Sequence, residues 1–338
     1  MEVDCSGALR ILAVIPVSES PSAMIFARRQ MAAVAACGHT VELFELRNRR
    51  SVRALVRSLL HYRERLRRFQ PHVVHAHYGA MTGCFSVYGA MALAPVLVTF
   101  RGSDLNPVPS MPLWKVVPSH TLSQAAARGA SDIICVSAEL RDRLWSGRGK
   151  VTVIPTGVDT TQFYPLARAA ARRTLGWQAE KSVVLFNAGH SPAVKRLDVA
   201  QEVIAIARRS IGDIDFVVLD GSVSPAQVPL LMQASDCLLF TSDVEGSPTV
   251  IQEAMACNLP IVSVPVGDVP ERLRDVIPSH VLPRDPTKLA EAVVRVLHER
   301  PRSNGFEIAR RDVGNGPITD ALLHVYSSIA KRSKRNQD

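Results

Sequence analysis

Residues 245–271, EGSPTVIQEAMACNLPIVSVPVGDVPE, follow the apolar run CLLFTS and decide how the chain folds. They read as a loop, a helix and a second strand. Pro248 suits a first helical position, which starts the helix near Ser247 or Pro248. Glu253 then lies inside the second turn, Glu245 in the loop before it, and Glu271 after a Gly-Asp turn. The backbone N–H groups near Thr249 and Val250 are first-turn donors without intrahelical acceptors, so they face any anion placed there. Gly246 admits a ligand close to the main chain. Carboxylates accept hydrogen bonds from hydroxyls and repel phosphates. A phosphate at the amides with hydroxyls on both sides describes a nucleotide sugar.

The same alternation extends outward in both directions. Toward the N-terminus, RILAVIPV, HTVELFEL, HVVHAHY, PVLVTF, SDIICVS and KVTVIPTGVD read as strands separated by helices. A second series starts at KSVVLFNAG and runs through DFVVLDG, CLLFTS and LPIVSVPV. Continuous Val/Ile/Leu runs between helices argue for parallel sheets covered on both faces. The expectation is an α/β chain of two doubly wound Rossmann-like domains facing across a cleft, residues 1–160 and 161–312. Residues 160–180 carry the linker, and the last helix, in residues 313–338, crosses back to the first domain. Ligands of open α/β sheets bind at the carboxyl ends of the strands, which points to the cleft.

The chain has 338 residues, 47% hydrophobic, with a formal net charge of +9. No run of eighteen apolar residues is present, so no spanning helix is expected. The start, MEVDCSGALRILAVIPVS, is acidic and then strand-like, unlike a signal peptide. The six cysteines are scattered with no CxxC pair, which suits small buried side chains in a reducing compartment, neither disulfides nor zinc ligands. The expected location is the cytoplasm. The positive balance favours an anionic partner. Residues 47–69 hold nine arginines against one glutamate, Glu64. Val52, Leu55, Val56, Leu59, Leu60, Leu66 and Phe69 fall on one helical face, which makes an amphipathic helix with a basic outer side. That side is solvated, or it contacts anionic lipid headgroups at the inner face of a membrane. Aromatic residues are too sparse among these arginines for a nucleic-acid platform.

Asp213 and Asp215 form a D-x-D at a strand start, the wrong end for ligand binding, and read as an exposed turn. His75 and His77 project from one side of a strand end. They lack a third metal ligand, leaving packing or acceptor contact. Arg101 and Asp104, in the loop after TF, suit either an acceptor contact or a local ion pair.

Residues 245–253 resemble the E-x7-E signature of retaining glycosyltransferases of family 4, which have the GT-B fold. NAGHSPAVKRLD resembles that family's GRLxxxKG stretch, VIPTGVDTTQFYP its IPNGVDxxxFxP junction, TFRGSDL its THGxD, and FARRQMAAVAACGHTVE its first helix and GHxV strand start. The resemblance implies that Glu253 holds the donor ribose, that Glu245 faces the donor sugar, and that Lys195 neutralises the departing diphosphate. Gly189, Gly246, Ser247, Thr249, Val250 and Glu271 complete the donor side, while Arg101, Asp104 and His77 face the acceptor. It implies transfer with retention and without a metal or other cofactor, from a nucleotide-sugar donor to a glycan or lipid-linked acceptor in cell-surface polysaccharide or glycoconjugate synthesis. Two departures stand out. The family's phosphate-binding Arg is His190 here, with Arg196 as a substitute, and its loop His is Arg101. Rival readings are a nucleotide-sugar 2-epimerase of the same fold and a non-enzymatic anion-binding protein.

Overall fold

The structure is a computed structural model that describes residues 7–17, 24–47, 51–91, 93–108, 111–147, 150–189 and 191–335. Two compact units emerge. Met1–Pro107, Met111–Pro155 and Gly316–Asp338 form the first; Val108–Ser110 and Thr156–Asn315 form the second.

The first unit runs β1 (Arg10–Pro16), α1 (Ile25–Ala36), β2 (Thr40–Leu46), α2 (Val52–Phe69), β3 (Val73–His77), α3 (Ala80–Gly89), β4 (Val96–Phe100), α4 (Leu113–Gly129), β5 (Asp132–Cys135), α5 (Ala138–Asp142) and β6 (Val151–Val153). Its six parallel strands take the order β2-β1-β3-β4-β5-β6. The strands of a parallel sheet are covered on both faces, and this explains why β3 and β4 are buried at every position. Alternate residues serve alternate layers. Leu12, Val14, Val74, Ala76 and Val98 pack against Tyr62, Leu66 and Val87 of α2 and α3. Ile11, Ala13, Val73 and Leu97 pack against Met31 and Val34 of α1, and against Ile318, Leu322 and Tyr326 near the chain's end.

Helix α2 departs from the single apolar face expected for it. Tyr62 and Leu66 are buried and Leu55, Leu59 and Phe69 pack beside them, a stripe spaced by threes and fours. Val52, Val56 and Leu60 form a neighbouring row that reaches no core; they are 76%, 54% and 68% exposed. Ser51 caps the helix by accepting from the Ala54 N–H. Arg63 donates to the Gly89 carbonyl at 3.1 Å and Arg65 pairs with Glu42 at 2.8 Å, so these two arginines are engaged by the fold.

The second unit runs α6 (Arg168–Leu175), β7 (Ser182–Asn187), α7 (Pro192–Lys195), α8 (Leu197–Ile211), β8 (Ile214–Leu219), α9 (Val228–Ala234), β9 (Cys237–Phe240), α10 (Thr249–Ala256), β10 (Ile261–Ser263), α11 (Val269–Arg272), β11 (Ser279–Val281), α12 (Pro286–Glu299) and α13 (Gly305–Asp312). Its parallel sheet has the order β11-β10-β9-β7-β8. The closing helix α14 (Asn315–Arg335) supplies the buried face that covers the first sheet. A buried ion network ties α6 to the second sheet. Asp236, fully buried, accepts from Arg168 at 2.6 Å, from Arg172 at 2.7 Å and from the Val183 N–H at 2.8 Å. Among the described cysteines, Cys135, Cys237 and Cys257 are buried and Cys84 half-buried, but Cys37 is exposed at the end of α1, contrary to the expectation of uniform burial.

Candidate functional site

In the second sheet the chain steps outward from β7 to β8, then returns to the other side of β7 with β9. That reversal is a topological switch point, where the loops leaving neighbouring strands diverge and open a crevice. The segment after β7 carries Lys195 and Arg196. The loop after β9 carries Asp243, Glu245, Gly246 and Ser247.

These two segments are bonded to each other. The Thr241 hydroxyl lies 2.9 Å from the Lys195 carbonyl and 3.0 Å from that of Arg196, and the Asp243 N–H donates to the Val194 carbonyl at 2.9 Å. On this frame the Lys195 ammonium pairs with the Glu245 carboxylate, both half-buried, and lies 5.8 Å from the centre of the Phe240 ring. Arg196, at φ +55°, sits between α7 and α8. It forks onto Asp198 and reaches Asp243 at 3.3 Å. Asp198 first, and Asp243 after it, hold the guanidinium further toward its charged form. Arg196 is thus anchored by two carboxylates. Gly189, at φ +49°, donates its N–H to the Leu219 carbonyl and to the Asn187 side chain. His190 lies outside the described residues.

Pro248 occupies the N-cap of α10 rather than its first turn, so the helix begins at Thr249. Val250, Ile251, Ala254 and Met255 are buried under it, and Glu253 is half-buried on the opposite side. Ser247 was expected to meet a ligand, but its hydroxyl is used internally. It lies 2.8 Å from Asp268 and accepts from Gln252 at 2.8 Å. Arg272 closes the network on Asp268 at 2.9 Å. Burial raises the Asp268 carboxyl, and Arg272 and Ser247 oppose the rise. Gly267 allows this closure: it has φ +56°, and a side chain there would come within 2.6 Å of the Gly246 carbonyl. Glu271 lies exposed on α11.

Two site neighbours carried no signal in the sequence. Arg284 donates to the Ser242 carbonyl at 2.7 Å and pairs with Asp243 at 3.0 Å. Asp268 passed as half of a turn. Asp213 and Asp215 share Lys181 at the start of β8, away from the crevice.

The three residues expected to face an acceptor gather at the carboxyl ends of β3 and β4. Asp104 is neither a partner of the Arg101 guanidinium nor open to a ligand. Its buried carboxylate accepts from the N–H groups of Gly79, Arg101 and Gly102 at 2.8–3.1 Å and so locks two strand-end loops together. The Arg101 guanidinium lies 3.0 Å from His77 Nδ1, donates to Gln30 at 3.1 Å, and stacks on Phe26 at 4.4 Å. Burial pulls it down to about 10. His75 bonds Tyr326 of α14 at 2.6 Å and Thr99 at 2.7 Å. Burial pushes His75 down to about 3 and His77 well below its ordinary value, so both rings are neutral. His75 is thus a packed core group, His77 is equally buried behind Arg101, and the Arg101 side chain lies at the strand ends.

Known proteins resemble both units. The family model described as Glycosyltransferase Family 4 matches residues 19–162, and that described as Glycosyl transferases group 1 matches residues 166–299. A teichuronic acid biosynthesis glycosyltransferase, TuaC of Bacillus subtilis, so named as putative, is 25% identical over 78% of this chain and 72% of its own length. A D-inositol 3-phosphate glycosyltransferase of Pseudarthrobacter chlorophenolicus is 26% identical over 63% of this chain, which spans 60% of that relative. The solved structure of Anabaena Alr3699/HepE in complex with UDP and glucose superposes with a TM-score of 0.71 at 16% identity, covering 95% of this chain and all (100%) of that one. At that identity the likeness concerns the fold.

Proposed function

Since this chain belongs to the group 1 glycosyltransferases, we propose that it moves a sugar from a nucleotide-sugar donor to a glycan or lipid-linked acceptor, with retention at the anomeric carbon. The observation that carries the reading is the Lys195–Glu245 pair at the switch point of the second sheet, beside the first turn of α10. In this reading the donor diphosphate lies against Lys195 and the open amides of α10. Negative charge grows on the diphosphate as the glycosidic bond breaks, and a fixed cation there acts mainly on the transition state. Glu245 orients the ammonium and faces the donor sugar. Glu253 accepts from the ribose hydroxyls. No metal is assigned to the step, because the cation and helix amides already meet the developing charge. Arg101 serves the acceptor, with the buried His77 behind it.

The ribose assignment is tested by calorimetry with UDP, GDP and ADP in parallel. Glu253→Gln is expected to bind the preferred diphosphate about 10-fold more weakly, since it loses a charge-assisted bond. Unchanged affinity removes Glu253 from the nucleotide.

The exposed row Val52, Val56 and Leu60, set among arginines, is the surface we assign to an anionic bilayer, with the protein peripheral on it. Among the described residues no helix is long and apolar enough to cross a membrane. Vesicles containing phosphatidylglycerol should float the protein, and Arg53→Gln with Arg57→Gln and Leu60→Ser should reduce flotation by an order of magnitude or more. Equal flotation of the variant would leave this face solvated.

A further inference from the structure

A cavity of about 1000 Å³ opens at the amino ends of β3, β4 and β5, the opposite end of the first sheet from His77 and Arg101. Its walls come from α2, α14 and the turns that lead into the strands. Leu93, Ala94 and Pro95 make one side apolar, over the buried Leu66 and Ile329. Arg67, His72, Arg332 and Lys334 make the other basic, and no acidic residue lines it among the described residues. The cations are not equivalent. Arg332 is neutralised by Asp132 and also bonds Ser328. His72 accepts the Arg10 N–H on Nδ1 at 2.9 Å, which leaves its other ring nitrogen as a donor. Arg10 itself is spent on the carbonyls of Phe69 and Gln70 at the end of α2. Arg67 and Lys334 make no ion pair among the described residues, and both are exposed where they line the cavity.

We propose that this cavity binds an organophosphate with an apolar chain: the phosphate between Arg67 and Lys334 with His72 donating, the chain along Leu93, Ala94 and Pro95. The walls offer both parts: exposed cations that can pair with a phosphate, and an apolar strip that can cover a chain. Burial and the nearby charges of Arg10 and Lys334 also hold His72 below its ordinary value, an electropositive setting that an anion relieves. The volume lies at the upper end of the usual range for small-molecule sites. Being at the amino ends of the strands, this site is separate from the transfer chemistry proposed above and stands without it.

The test uses the whole chain and three soluble probes: hexyl phosphate, inorganic phosphate and hexanol. Hexyl phosphate should raise the melting temperature and bind measurably by calorimetry. Inorganic phosphate should bind at least several-fold more weakly, because it buries no chain, and hexanol should give no saturable signal. Arg67→Gln with Lys334→Gln should weaken hexyl phosphate on the order of 10-fold. Leu93→Glu, a change at a partly exposed wall, should weaken it as well and covers the case in which the double variant folds poorly. Equal binding of inorganic phosphate, which would mark a free-phosphate site, overturns the proposal. So does binding of hexyl phosphate to both variants as tight as to the wild type, or no binding to the wild type at all.

Discussion

Lys195→Ala is expected to lower turnover by roughly 100-fold or more, the scale of removing one preorganised electrostatic stabiliser. The lysine is held by backbone that it does not itself stabilise: the Thr241 hydroxyl bonds the carbonyls of Lys195 and Arg196, and Asp243 bonds Val194. Truncating the side chain therefore leaves the loop in place and removes only the ammonium opposite Glu245. Affinity for a nucleoside diphosphate should fall less than turnover, because the charge on the leaving group is completed only as the bond breaks. The unfolding free energy should stay within about 1 kcal/mol of wild type, the range of a partly exposed ion pair. Turnover within threefold of wild type would take Lys195 away from the leaving group.

Asp236→Ala is expected to produce the largest loss of stability, about 3–5 kcal/mol. The carboxylate joins two arginines and the Val183 N–H at the root of β7, and both it and Arg172 are buried. Removing it leaves the Arg172 guanidinium in the interior with only carbonyl acceptors, those of Ala179 and Ala234. For a unit of this size the loss corresponds to a fall of about 6–20 °C in the melting temperature of the second unit. Thermal unfolding followed by circular dichroism measures it. A loss below about 1 kcal/mol would mean that Arg172 reaches water or another anion when Asp236 is gone.

The alternation of apolar strands with helices was readable because parallel strands are covered on both faces and carry unbroken Val/Ile/Leu runs. Helix α4 escaped that reading. It holds Pro118 and no clear apolar stripe, and its buried positions are filled by small and polar residues such as Ser123, Gln124 and Ala126. The short strand β11 is only half-buried and has no such run. At the candidate site, spacing against a known pattern singled out Glu245, Glu253 and Lys195, of which Lys195 and Glu245 are paired in the structure. Arg284 was not, because it reaches Asp243 from a distant loop and nothing local marks it. Ser247 and Asp104 bond within the fold in a way the sequence did not show. A polar residue in a functional-looking loop has two uses, and here the loop's own architecture takes both: Asp268 and Gln252 hold Ser247, and three backbone N–H groups hold Asp104. In α2 the spacing placed two apolar rows on one face, whereas only the row through Leu59, Tyr62 and Leu66 packs into the core.

The proposed chemistry leaves a signature that needs no acceptor. The protein, incubated with a panel of nucleotide sugars, is followed by proton NMR from the first minutes, with and without EDTA. The account predicts that one donor releases its nucleoside diphosphate slowly. The first-formed sugar should keep the donor's anomeric configuration before mutarotation blurs it, and EDTA should not change the rate. A sugar released with inverted configuration, a donor returned as its 2-epimer, or a reaction abolished by EDTA and restored by Mn²⁺ would contradict it.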